Sequence, residues 1–224
     1  MVPPQFAGRP LVIYCNHPSW WDPALMLLAL PKFFPGRRGY GPMDASSLVR
    51  YRLLQSMGIF GIDTDSPTMA ADFLRVAKSI LSAPDSLLCL TAEGAFTDPR
   101  LRPIRLRRGL AHLARANTKA VFLPLALEYC FWNESKPEAL MAFGTPVAAA
   151  EGATMAEWNG LLESALTQTM DRLAAASARR TADEFRVVHR GTAGVGGPYD
   201  LWRRAYAAVQ GASFDVRHEP EPPT

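Results

Sequence analysis

His17 and Asp22 stand five positions apart in the segment Asn16-His17-Pro18-Ser19-Trp20-Trp21-Asp22. A histidine within reach of a carboxylate can act as a general base. The carboxylate accepts a hydrogen bond from one ring nitrogen, fixes the tautomer, and stabilises the imidazolium that forms when the other nitrogen takes up a proton. Five residues reach at most ~17 Å when extended, and a loop that must turn is far shorter, so the two side chains can meet. The competing reading is a capped helix beside a satisfied histidine, because Asp22 followed by Pro23 also suits a helix N-cap and first turn. Asn16, or a loop amide near Pro18 to Trp20, is a candidate donor to a developing oxyanion or a support for the loop.

The elements that must hold this pair follow from apolar patterning. Leu11 to Cys15 is a short apolar run between Pro10 and Asn16, which predicts a buried strand emptying into the His17 loop. Ala24 to Leu30 then predicts a helix that Pro31 ends. A helical pattern over Ala45 to Met57 is stopped by Gly58, Ile59 to Ile62 reads as a strand, and Ser66-Pro67 opens a helix with Met69, Phe73, Ala77 and Ile80 on one face. Strand Leu87 to Leu90, a polar stretch to Arg108, a helix from Gly109 to about Asn117, and strand Ala120 to Leu127, interrupted by Pro124, complete the alternation. Such alternation predicts a single α/β domain with a central, largely parallel or mixed sheet flanked by helices, its functional loops at the carboxyl ends of the strands. Residues 151–215 add a long amphipathic helix, Trp158 to about Ala178, and a shorter one, Tyr199 to Val209, after the flexible stretch Gly191 to Gly197; both pack on a core spanning 1–150. A disordered tail is expected over 216–224.

Composition bounds the function. The 224 residues carry 24 Lys and Arg against 21 Asp and Glu, a net charge of +3, with 48% hydrophobic residues, enough for a real core and too little charge for a nucleic-acid partner. Cys15, Cys89 and Cys130 lie far apart in apolar runs and read as free thiols in a reducing compartment. His112, His189 and His218 have no partner at ligand spacing, so no metal site is expected. No nucleophile elbow, P-loop or dinucleotide fingerprint occurs. Met1 to Arg9 lacks the pattern of a signal peptide, and no apolar stretch approaches the ~18 to 20 residues of a membrane crossing.

Asn16-His17 followed by four residues and Asp22 resembles the first signature of the phospholipid and glycerol acyltransferase family. Later blocks arrive in that family's order. Gly58-Ile59-Phe60-Gly61-Ile62-Asp63 resembles the second signature, Thr91-Ala92-Glu93-Gly94 the third, and Val121-Phe122-Leu123-Pro124-Leu125-Ala126-Leu127 the fourth. Leu106-Arg107-Arg108-Gly109 resembles the basic step into the helix after the third. The resemblance implies a glycerol-phosphate-acyltransferase-like fold and transfer of a fatty acyl group from acyl-CoA or acyl carrier protein, as cosubstrate and with no cofactor, to the hydroxyl of a lysophospholipid, glycolipid or similar lipid. It implies His17 as general base and Asp22 as its support, with no acyl-enzyme. By resemblance Glu93 and Gly94 belong to the acceptor site, the glycine permitting close approach and the carboxylate binding a hydroxyl or bracing the loop.

Two departures bear on the acceptor. Where the family's phosphate-gripping arginines stand, this chain has Thr64 and Phe96. Either Arg100 or Arg102 reaches back to replace the charge, or the acceptor lacks that phosphate. The run Arg100, Arg102, Arg105, Arg107 and Arg108, with no acidic neighbour except Asp98, should attract anions, with Arg107 and Arg108 candidates for the donor's phosphates, a carrier protein's acidic face or anionic lipid. Trp20, Trp21, Phe33 and Phe34 are candidates to line an acyl channel or touch a bilayer. A cytoplasmic protein, peripheral on the inner face of the membrane, is the expectation; the rivals are a non-catalytic lipid-binding protein and an acyl-thioester hydrolase.

Overall fold

A computed structural model describes residues 6–51, 53–132, 136–147, 152–191 and 197–210. Six strands form one sheet in the order β3-β2-β4-β1-β5-β6. They are β1 (Leu11–Cys15), β2 (Arg38–Asp44), β3 (Ile59–Ile62), β4 (Ser86–Thr91), β5 (Val121–Cys130) and β6 (Glu138–Phe143). The first five run parallel and β6 returns antiparallel along β5. Helices α1 (Asp22–Phe33), α2 (Ala45–Arg50), α3 (Leu53–Ser56), α4 (Met69–Ile80), α5 (Arg108–Ala116), α6 (Met155–Arg179) and α7 (Gly197–Val209) complete the chain.

Strand alternation divides β1 between two cores. Leu11, Ile13 and Cys15 face α1 through Met26, Leu30 and Phe34, whereas Val12 and Tyr14 face α5 and α6 through Leu110, Leu162 and Leu166. All five residues are buried, as a central parallel strand requires. The helix after β1 therefore lies on one face and the helix after β4 on the other, while β1 and β4 are neighbours in register from Leu11 and Leu87 to Cys15 and Thr91. Such a divergence is the switch point at which open α/β sheets bind ligands, at the carboxyl ends of the strands. His17 follows one strand and Glu93 the other.

Several sequence expectations need correction. Pro31 does not end α1; the helix runs through it to Phe33, because Leu30 and Phe34 are buried and Phe33 and Phe34 both pack edge-on against Phe143. Those two rings thus belong to the core rather than to an acyl channel. Asp22 is not the N-cap: Trp21 occupies that position and Asp22 is the first helical residue, its carboxylate drawn to other donors. The segment from Ala45 to Met57 breaks at Tyr51 into α2 and α3. Pro124 leaves β5 continuous, since β6 pairs with β5 only from Leu125 onward and the missing N–H falls beyond that ladder. Strands β2 and β6 carry no strand pattern in sequence. Helix α6 packs along β5, β6 and α5. Most of the stretch expected to be flexible, together with His218 and the tail over 216–224, lies outside the described residues.

Candidate active site

Asn16 comes first. It is fully buried where β1 ends, and its side chain completes the sheet: Nδ2 donates to the Leu127 carbonyl at 2.9 Å and Oδ1 accepts from the Leu127 N–H at 2.8 Å. This mimics a peptide unit and extends β1 by one residue along β5. An amide so committed supports the loop.

The next residue, His17, is held by its backbone on the β4 side. Its N–H donates to Glu93 Oε2 at 3.1 Å and its carbonyl accepts from the Thr97 N–H at 3.0 Å. The Ala92 N–H binds the Cys15 carbonyl at 2.8 Å just before. Glu93, bonded in this way through Oε2, braces the loop. Burial pushes its carboxyl above the ordinary value, against the lowering pull of the His17 N–H.

The ring then turns toward α1. Nδ1 lies 2.6 Å from Asp22 Oδ2, with the histidine side chain 16% exposed and the aspartate 0%. A carboxylate only accepts, so in the pair of carboxylate and neutral imidazole Nδ1 is the donor and Nε2 keeps its lone pair. No described residue hydrogen-bonds Nε2. Asp22 receives two further donors, the Ser19 N–H on Oδ2 at 3.2 Å and the Tyr129 hydroxyl on Oδ1 at 2.8 Å. The arrangement can draw a proton from a hydroxyl placed at Nε2 and support the imidazolium that results.

Above the ring lies Phe96, its centroid 4.3 Å from the imidazole centroid and the planes 35° apart. It is 62% exposed, as are Trp20 at 66% and Trp21 at 60%, which meet edge-on. Arg107 crosses the β4–α5 loop against Gly94, whose φ of +68° and lack of a Cβ make room; an added Cβ would meet Arg107 Nε at 2.6 Å. Arg108 is exposed as the first residue of α5. Arg100 forks on Asp98 at 2.6 Å. The expectation that Asp98 is the run's sole acidic partner is corrected by Arg102, which reaches Asp171 on α6 at 2.6 Å. Arg100 and Arg102 are thus each paired with a carboxylate, and Thr64 binds Asp44.

Sequence reasoning passed over Tyr129. The odd positions of β5, Val121 to Leu127, face α1, so period-two alternation placed residue 129 on Asp22's side of the sheet. All three cysteines are free, Cys15 buried and Cys89 and Cys130 half-buried. Burial raises the Cys15 thiol and pushes Cys89 up to about 12, which suits packing rather than nucleophilic attack. Among the described residues no cluster of ligating side chains could hold a metal, and no helix is long and apolar enough to cross a membrane.

The sequence matches the model of the family described as Acyltransferase over residues 2–128, which takes in Asn16, His17, Asp22, Glu93, the arginine run and Leu127. The chain belongs to the acyltransferase family, and acyl transfer is its general chemistry. No curated protein matches it.

Proposed function

We propose that this protein transfers a fatty acyl group from an acyl thioester, acyl-CoA or acyl carrier protein, to the hydroxyl of a lipid acceptor that carries no phosphomonoester beside that hydroxyl. The observation that carries the reading is the 2.6 Å contact of His17 Nδ1 with buried Asp22, which leaves Nε2 without a hydrogen-bond partner among the described residues. The acceptor hydroxyl gives its proton to Nε2 as its oxygen attacks the thioester carbonyl. The tetrahedral intermediate collapses, the C–S bond breaks, and the leaving thiolate recovers the proton from the imidazolium. Ester and free thiol are the products, with no covalent enzyme intermediate. A base so placed supplies ~10² to 10⁴ in rate; holding alcohol and thioester together supplies more.

Phe96 supports the acceptor assignment, because an exposed aromatic ring on His17 presents an apolar flank where a phosphate would need a guanidinium. Arg105, Arg107 and Arg108, for which no ion pair is seen among the described residues, suit the anionic part of the donor. The exposed Trp20 and Trp21, together with these arginines, suit a peripheral seat on an anionic bilayer.

Purified protein is incubated with acyl-CoA, with and without a lipid extract. Acylated lipid is the expected product. Free fatty acid alone would make the protein a thioester hydrolase, and retained lipid without turnover would make it a carrier. His17→Ala should abolish thiol release while the protein stays folded; wild-type release in that variant would remove the proposed base.

A further inference from the structure

We infer that Tyr129 is a positioning residue of this site, acting through Asp22 on the base. The inference rests on the reading of His17 given above. Asp22 sits in the first turn of α1 with its side chain fully buried, and a buried carboxylate must have its lone pairs met by donors. Two of its donors come from its own loop, His17 Nδ1 and the Ser19 N–H, and both fall on Oδ2. Left to these alone, the carboxylate is free to turn about its terminal torsion, a broad one. Tyr129 supplies the third donor from a different element, 107 residues away, and it falls on Oδ1 at 2.8 Å.

The sheet explains how a distant strand reaches the site. β1 stops at Cys15, level with Leu125, while β5 continues to Cys130 along β6 alone. Tyr129 therefore stands beyond the end of β1, on the face that carries α1, and its hydroxyl leans over the gap to the helix start. Burial foremost, and then the contact with Asp22, raise its phenol, so it stays protonated and remains a donor. With one oxygen tied to β5 and the other to His17, the carboxylate plane is fixed, and with it the direction in which Nε2 points. A proton passing from an alcohol to Nε2 needs that direction held before the substrate arrives.

Tyr129→Phe keeps the ring and removes only the hydroxyl. We expect roughly a tenfold loss of kcat, the order of a hydrogen bond to a charged group, with the KM for acyl-CoA unchanged and the melting temperature lowered, because Oδ1 of the buried Asp22 loses its donor. A purely structural tyrosine would add its effect to that of any other change. A positioning one should not: in an Asp22→Asn background, Tyr129→Phe should cost less than about twofold. The Nδ1 proton of His17, followed by NMR in histidine-labelled protein, should shift in Tyr129→Phe. Wild-type kcat, multiplying effects in the double variant, or an unmoved Nδ1 resonance would each overturn the inference. If His17→Ala remained active, the base itself would be wrong; if His17→Ala were dead and Tyr129→Phe normal, only the role of Tyr129 would fall.

Discussion

The inner wall of the site and its rim are built from the same loops, yet they obey opposite rules. On the wall, Asn16 and Asp22 are 0% exposed and Glu93 8%, and each meets a specific partner: the Leu127 backbone, three donors, and the His17 N–H. On the rim, Phe96, Trp20 and Trp21 stand in solvent, and Arg105, Arg107 and Arg108 are exposed. The difference follows from desolvation. A buried polar atom without a partner costs about 1 to 3 kcal/mol, so every wall residue is fixed by its neighbours; an exposed one is satisfied by water and is free to meet something else. In the proposed reaction the wall carries the proton chemistry and the rim chooses what enters.

The largest break to that contrast should come from Asp22→Ala. It removes the support of His17 and leaves the Tyr129 hydroxyl and the Ser19 N–H facing a hole, and turnover should fall by ~10² to 10⁴. Measured against Tyr129→Phe, it separates the loss of the carboxylate from the loss of its orientation. Asn16→Ala should act on folding first. Two buried backbone groups of Leu127 lose their partner, which should cost about 2 to 5 kcal/mol in denaturant unfolding. A loss under about 0.5 kcal/mol would mean that water enters there and that the wall is not closed.

Glu93→Gln sharpens the comparison through pH. Burial raises the Glu93 carboxyl above its ordinary value of 4.5, so in the window above that value the native state holds a proton that the unfolded chain has released. Stability from this group is therefore present at low pH and is lost as pH rises through the native value. The glutamine keeps an acceptor for the His17 N–H but does not titrate. Stepwise urea unfolding from pH 4 upward should show wild type losing ground to Glu93→Gln as pH rises, and parallel curves would remove burial as the cause.

What could be read from sequence divides along the same line. β1 and β3 have the bounds that their apolar runs predict, and the His17–Asp22 contact follows from a five-residue loop that must turn into a helix. The parallel sheet and the placement of Glu93 beside His17 follow from alternation. β2, with its glycines and proline, and β6, whose Glu138-Ala139-Leu140-Met141 favours a helix locally, are strands only because a neighbour pairs with them. The partners of Asn16, Asp22 and Arg102 on β5 and α6 lie 111, 107 and 69 residues distant. No local pattern encodes such a choice; it exists once the sheet has closed.

The smallest effect on the fold, and the sharpest on selectivity, belongs to the rim. Phe96 touches His17 but is 62% exposed, and its removal leaves no cavity in the core. Phe96→Ala should change unfolding stability by less than about 0.5 kcal/mol, since the loop backbone is held by the Thr97 N–H on the His17 carbonyl and not by the ring. If the ring is the apolar flank of the acceptor site, its loss raises the KM for a lipid alcohol and leaves the KM for acyl-CoA alone. Phe96→Arg puts a guanidinium where the ring lies. Because Arg100 and Arg102 are already engaged by Asp98 and Asp171, the new side chain would be a free fork beside the base, and a lysophosphatidate acceptor should gain turnover relative to a neutral alcohol. Equal preference before and after that exchange would place acceptor choice elsewhere, while the buried wall, changed by neither variant, would stand as described.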